Sequence, residues 1–407
     1  MLVRQVIYME RAQVIVVGAG PVGTVAATRL AKQGIDVILL EALPSSARDL
    51  RASTWHPPTL EMMAKLQVAE RMVAEGLICP VYQYRDRHSP EVFSFDLSEL
   101  TDITAFPYRL QYEQFKFTQV LCEILADEAH ATLRFSHEVV GVEQDVEGVT
   151  VLALHQGSRQ RFRADYVISA EGANSILRKK MNIEFEGFTF PEKFVTLSTT
   201  YPLEQHFEDL SNVNYIADPT AWALLLRTPD YWRVLVPAPE DAADQHLLSA
   251  EFKDHVLRDI TGSNQTIETE HRVIYRIHQR VAERYRVDRV LLAGDAAHLN
   301  NPLGGFGMNS GIHDAWNLCE KLEQILCHGA DPVLLDLYEK QRQTVTRDFI
   351  QAQSIKNKQR MEQHDEEWLR KDREDIRRTC NDEKLRRDFL LDQALFTSLA
   401  DADRITL

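Results

Sequence analysis

The chain has 407 residues, 44% of them hydrophobic and 26% charged, with a formal net charge of −15. That length and balance describe a globular protein of two or three domains, and the acidic surplus argues against nucleic acid or an anionic membrane as the main partner. Five scattered cysteines without a C-x-x-C argue against a disulfide framework or a zinc site, and no apolar run reaches transmembrane length. A reducing compartment fits those cysteines. Met1–Arg11 lacks the apolar core of a signal peptide, so the expected location is cytoplasmic.

Val14-Ile15-Val16-Val17 reads as a strand buried on both faces, and the chain then turns through Gly18-Ala19-Gly20-Pro21-Val22-Gly23 into a helix. In that setting G-x-G-x-x-G is a dinucleotide fingerprint. Gly18 permits the tight turn, Gly20 lets backbone approach a pyrophosphate, and Gly23 lets helix and strand pack closely. A second strand, Val37–Leu40, ends in Glu41, with Ala42 after it. An acid about 20 residues past the glycines is placed to accept ribose hydroxyls. Arg51 follows in a loop, where its fork could reach a phosphate, and His56-Pro57-Pro58 precedes a helix start. Residues 80–107 alternate like a β-ribbon, and Gln114 opens a helix. Residues 133–143 and 149–154 read as two strands, and 162–170 as a buried one leading into Glu171-Gly172-Ala173-Asn174-Ser175-Ile176-Leu177-Arg178. From 184 to 280 the pattern changes to short strands, with one helix expected over 245–259. Val290–Ala293 restores the buried-strand pattern before Gly294-Asp295-Ala296-Ala297-His298. A helical tail starts at Ser310, and its charge run over 362–387 reads as the solvated face of helices on the main domain.

Three pieces in this order carry a family resemblance: Gly18–Gly23 with Glu41, Glu171-Gly172 with Ser175 and Arg178, and Gly294–His298 followed by Pro302-Leu303-Gly304-Gly305-Phe306-Gly307-Met308-Asn309. The chain resembles the single-component FAD-dependent aromatic hydroxylases of the para-hydroxybenzoate hydroxylase type, over roughly residues 13–342. The resemblance implies an α/β architecture: a Rossmann-like FAD-binding domain (1–80, 108–183 and 281–350), an inserted mixed or antiparallel β-sheet substrate domain (81–107 and 184–280), and a C-terminal helical region (351–407). It implies FAD as cofactor, NADH or NADPH as transient electron donor, O2, and a phenolic or heteroaromatic substrate hydroxylated through a flavin 4a-hydroperoxide. No second G-x-G-x-x-G is present, so the nicotinamide coenzyme is expected to bind transiently on the flavin domain.

By the same resemblance Arg51 and Gln114 contact FAD, and the third motif wraps the flavin. There Asp295 can accept from ribityl hydroxyls, while Gly304, Gly305 and Gly307 leave room for the ring. Amides near Met308 and Asn309 face the charge that develops on reduction. Two departures stand out. Glu171 occupies a position where the family usually has Asp, which touches a contact near the pyrophosphate. Asn300-Asn301-Pro302 replaces a frequent pair of prolines, which reshapes the wall at Pro302 beside the substrate.

His298 reads as a residue that holds its motif in shape. His56 is a candidate substrate contact or proton relay. On the inserted sheet Tyr215 is a candidate relay, and Arg227 shares a strand face with Ala223 and Leu225. If that face lines the pocket, Arg227 pairs with a substrate anion; otherwise it is a surface arginine. Trp222 and Trp232 read as sheet core. Two other readings are a flavin halogenase, whose W-x-W-x-I-P signature is absent, and a flavin-binding redox sensor or interaction module without turnover. The sequence names neither the substrate nor the coenzyme and leaves the oligomer open, a homodimer included.

Overall fold

The computed structural model describes residues 9–48 and 52–407. Val14–Val17, Val37–Leu40 and Tyr166–Ser169 are buried at every position and lie parallel, with Val290–Leu292 and Ala131–Arg134 outside them. Arg286–Val287 closes the sheet antiparallel to Val290–Leu292. Side chains alternate across a strand, so Val14, Val16, Val37 and Leu39 enter one core with Val25, Leu30, Phe117 and Ile312 of the flanking helices. Ile15, Val17, Ile38 and Leu40 enter another, with Val149, Val151 and Phe162 of a smaller sheet on the opposite face. Burial on both faces is why these strands have no polar alternation.

That smaller sheet is built from Glu138–Asp145, Gly148–His155 and Ser158–Ala164, with Glu10–Arg11 at its edge. Residues 133–143, expected as one strand, divide. Ala131–Arg134 joins the parallel sheet and Glu138–Asp145 the smaller one, with Ser136 between them at φ 58°. The helix expected over 245–259 also divides, into Asp244–Leu247 and Ala250–Thr261, the second capped by the Ser249 hydroxyl accepting from the Phe252 N–H.

A mixed eight-stranded sheet stands against this unit. Its order is His298–Leu299, His271–Ala282, Phe185–Thr199, Trp232–Ala238, Ala223–Arg227, Val213–Ala217, Val81–Asp86 and Ser89–Asp96. All neighbours are antiparallel except Val213–Ala217 with Val81–Asp86. Helix Ala250–Thr261 covers one face through Val256 and Leu257, in the core that holds Trp232. Tyr82, Tyr84, Phe95 and Tyr215 form the other face, in a cluster with Trp222. The fold is thus a Rossmann-like α/β unit with an inserted mixed sheet, completed by C-terminal helices.

The charged tail differs from its expected placement. Helices Ala352–Glu362, Glu366–Asn381 and Glu383–Gln393 dock on the inserted sheet through Met361, Ile376 and Leu390. Their arginines pair with that sheet's outer hairpin and the turn after it: Arg373 with Asp86, Arg377 with Glu91 at 2.7 Å, Arg386 with Glu99 at 2.7 Å and Arg387 with Asp102 at 2.5 Å. Much of the charge run is therefore a docking surface with its counter-ions on distant residues. Among the described residues no helix is long and apolar enough to cross a membrane, and no cluster of His, Cys, Asp and Glu is placed to hold a metal.

Candidate active site

One cavity of about 500 Å³ runs from the Gly18–Val22 turn to the inserted sheet. At its first end the three fingerprint glycines play distinct parts. A Cβ on Gly18 would lie 2.4 Å from the Ala170 carbonyl oxygen, and one on Gly23 only 1.9 Å from that of Gly18. A Cβ on Gly20, which lines the cavity, would meet nothing within 4 Å among the described residues. Helix Pro21–Lys32 begins there with proline in its first turn, no capping side chain and no first-turn acid. Its N-terminal amides are thus left to an anion. Glu41 closes this end. Its Oε2 accepts from the Ala19 N–H at 2.7 Å and its Oε1 from the Leu43 N–H at 2.9 Å, which fixes the carboxylate beside the turn. These features fit the pyrophosphate and ribose of a dinucleotide.

Glu171 shows what its extra methylene does. Oε2 accepts from the Ser169 and Ser175 hydroxyls and the Leu177 N–H, and Oε1 from the Ile176 N–H. The carboxylate is thus spent on capping the short helix Ile176–Lys180. Arg178 ties this turn to the third motif, donating from Nη1 to the Ala296 carbonyl and from Nη2 to that of Ala173. Below the Gly294-Asp295 turn, fully buried Asp314 accepts from the Gly294 N–H at 3.0 Å, His298 Nε2 at 2.7 Å and Arg342 Nε at 2.7 Å. Burial would raise the Asp314 carboxyl, but His298 and Arg342 hold it below the usual aspartate range. His298 is accordingly a brace for its motif.

Gly305, at φ 70°, starts the long helix Phe306–His328, and its neighbours are locked from behind. Asn309 donates from Nδ2 to the carbonyls of Thr54 and Gly305, and its Oδ1 accepts from the His56 N–H. The His56 ring sits 2.9 Å from the Gly304 carbonyl through Nε2. Burial, reinforced by nearby Arg109, pushes its pKa well below the ordinary value. His56 is thus neutral and lies behind the Gly304-Gly305 turn, outside the residues that line the cavity, which corrects it as a candidate substrate contact. The two asparagines before Pro302 are partly consumed in shaping the loop, since Asn301 takes Gln279 Oε1 on its N–H and holds the Leu303 N–H on Oδ1.

Of the sequence candidates, Gly18, Gly20, Pro21, Val22, Glu41, Gln114, Glu171, Gly172, Asp295, Pro302, Gly305, Gly307, Met308 and Tyr215 line this one cavity. Gly23, Gly294 and Asn309 support it from beneath, and Ala42 is exposed next to Glu41. Arg51 lies outside the described residues. Arg227 is not at the cavity: Leu224 and Leu226 of its strand are. Arg227 therefore takes the alternate face, its guanidinium 5.8 Å from the Trp232 ring. The period of two holds, and of the two facings it allows the pocket falls to Leu224 and Leu226, which corrects Arg227 as a substrate contact. The sequence reading missed Arg109, which is 1% exposed, lines the cavity and donates from Nη1 to Tyr215 Oη at 3.2 Å. Arg233 and Arg276 also line it. Arg109 opens a three-residue strand after Pro107-Tyr108, and nothing local separates it from a surface arginine.

A Rossmann-like cradle shaped for a dinucleotide, continuous with a chamber under a second sheet where leucines alternate with arginines, fits a flavoprotein that acts on a small organic substrate. The chain matches the FAD binding domain family over residues 11–353 and belongs to it. It is 32% identical to para-nitrophenol 4-monooxygenase of Pseudomonas sp. strain WBC-3 over 93% of this chain and 94% of that one. It is 31% identical to the 6-hydroxy-3-succinoylpyridine 3-monooxygenase HspB of Pseudomonas putida over 84% and 86%. The crystal structure of p-nitrophenol 4-monooxygenase PnpA from Pseudomonas putida DLL-E4 superposes with a TM-score of 0.91 at 29% identity, covering 98% of this chain and all of that one. The protein is an FAD-dependent aromatic hydroxylase.

Proposed function

We propose that the protein hydroxylates a single-ring phenol or heteroaromatic compound, with NADH or NADPH as electron donor and O2 as oxygen source. The carrying observation is the continuity of the cavity. Its dinucleotide end and its apolar end, lined by Leu224, Leu226, Leu235 and Ile277, meet at the Pro302–Met308 loop. FAD fits with its pyrophosphate over Gly20, a ribose at Glu41, its ribityl chain at Asp295 and its ring against Gly305, Gly307 and Met308. When bound it supplies oxygen activation and transfer. The chain's own residues do the rest. The locked loop from Pro302 to Asn309 holds the ring position, the leucine-lined sheet excludes water, and Tyr215 and Pro302 wall the substrate. Likeness to the para-nitrophenol enzymes over nearly their whole length supports a one-ring substrate. The free state of all five cysteines supports a cytoplasmic location.

A screen of substituted phenols and hydroxypyridines for stimulated NADH or NADPH oxidation, with the hydroxylated product identified by mass spectrometry, tests this reading. Coenzyme oxidation with no product from any compound would refute it.

A further inference from the structure

Two buried arginines flank one stack of tyrosines, and among the described residues only one of them has a counter-ion. Tyr84 and Tyr215 lie with ring centroids 5.1 Å apart, and Tyr82 adjoins Tyr84 at 6.1 Å. On the tail side Arg360 is 7% exposed, 5.2 Å from the Tyr84 ring, and donates from Nε and Nη2 to the two oxygens of Asp372, each at 2.8 Å. On the cavity side Arg109 is 1% exposed and 4.1 Å from the Tyr82 ring. Its hydrogen bond to Tyr215 Oη is accompanied by no carboxylate among the described residues, and its Nε has no partner.

The groups facing Arg109 leave that charge unanswered. Burial raises Tyr82 well above the usual tyrosine value, Tyr84 to about 12 and the Cys79 thiol to about 12, and pushes His56 down, so all four are neutral near pH 7. Arg233 adds a second positive side chain to the same cavity. A guanidinium does not give up its proton, and a buried charge without a partner is strongly unfavourable. Because Arg109 donates to Tyr215, the Tyr215 hydroxyl proton is free to be donated in turn. The pair therefore offers hydrogen-bond donors and positive charge, and no acceptor.

We propose that Arg109, with Tyr215, is the residue pair that receives an anionic oxygen of the aromatic substrate, so that the pocket selects ionised rings over neutral ones of the same shape. This rests on the hydroxylase reading and adds to it the charge of the ligand and the residue that reads it. Asp372 neutralises Arg360 permanently; the ligand neutralises Arg109 on arrival. A phenolate or a ring carboxylate would serve.

The test is equilibrium binding to the FAD-loaded protein, followed by perturbation of the flavin spectrum, for 4-nitrophenol, 4-nitrobenzoate and 4-nitroanisole at pH 8. At least one of the two anions should bind roughly tenfold or more tighter than the neutral ether, a difference the size of one charged contact. Which anion wins identifies the oxygen as phenolate or carboxylate. Arg109→Gln should weaken that anion by about 30-fold or more and leave 4-nitroanisole within about twofold, with Arg109→Lys intermediate. Retained FAD and an unchanged melting temperature certify folding. Should Arg109→Gln fail to fold, Tyr215→Phe keeps the cation and removes only the donor, and should weaken the anion without affecting the ether. Equal binding of all three compounds, or anion binding indifferent to both positions, overturns the assignment while coenzyme oxidation with phenols leaves the hydroxylase reading standing. Binding of none of the three, with no phenol-stimulated oxidation, counts against both.

Discussion

Substituting Gly20 by valine separates the fold from the cofactor. Gly20 has φ −74° and ψ −178°, an extended conformation open to any L-residue, and a Cβ there touches no atom within 4 Å. Unfolding free energy without FAD should therefore change by no more than about 0.5 kcal/mol. Bound FAD meets the opposite situation, because the side chain would stand where the proposed placement runs the pyrophosphate across the helix N-terminus. Two lost charge-assisted hydrogen bonds at about 1.5–3 kcal/mol each amount to roughly 3–6 kcal/mol. At about 1.4 kcal/mol per tenfold, affinity should fall by on the order of a hundredfold to ten-thousandfold. Urea unfolding of the apoprotein and fluorescence titration with FAD measure the two effects independently. A Gly20→Val protein that binds FAD like the wild type would refute the placement. One that unfolds early would show Gly20 to be a packing residue, the part the structure gives to Gly23, where a Cβ would sit 1.9 Å from the Gly18 oxygen.

Asp295→Ala should weaken FAD by roughly 1–3 kcal/mol, the size of a lost charged hydrogen bond, and an unchanged dissociation constant would put the ribityl chain elsewhere. Arg227→Ala should leave FAD content and the substrate constant within about twofold, under 0.5 kcal/mol, since the side chain packs over Trp232; a thirtyfold rise would return it to the pocket. Burial, with Arg342 adding to it, takes His313 down to about 3. The unfolded chain binds that proton near pH 6.5 and the folded one does not, so stability is complete above about 6.5 and falls with acidification at roughly 1.4 kcal/mol per pH unit. His313→Gln should therefore lose about 2 kcal/mol less than wild type between pH 6.5 and 5, measured by denaturant unfolding. Identical losses in the two proteins would contradict the neutral buried histidine.

The parts that sequence made legible are those where one local pattern has one structural use. Val14–Val17 and Val37–Leu40 are apolar throughout because both sides are covered, and Glu41 follows at the spacing a ribose requires. Facing was not legible on the Ala223–Arg227 strand. Ala223 and Leu225 on one side and Leu224 and Leu226 on the other are equally apolar, and period two alone does not say which side meets a cavity. Nor was the counter-ion pattern of the tail, since Arg373 and Asp86 or Arg377 and Glu91 are joined only by the tertiary fold. Glu171 gave a departure from the family pattern without its meaning. The carboxylate reaches Ile176 and Leu177 only because the chain turns back at Gly172.

The tyrosine layer under the cavity has a consequence for recombination. Tyr215 meets the chamber on one side, and Tyr84, stacked on it, meets Phe389 and Arg360 of the C-terminal helices on the other. Only two stacked rings therefore separate the chamber from the tail, although the two are far apart in sequence. A chimera that kept the first 350 residues and took its last 57 from a relative would inherit an intact dinucleotide cradle, yet would receive new neighbours behind Tyr84. Swapping C-terminal helices among these hydroxylases should thus retune ligand preference, provided the new tail keeps the support that Asn357 gives the Leu303 carbonyl and that Leu395 gives Phe306 in the flavin loop.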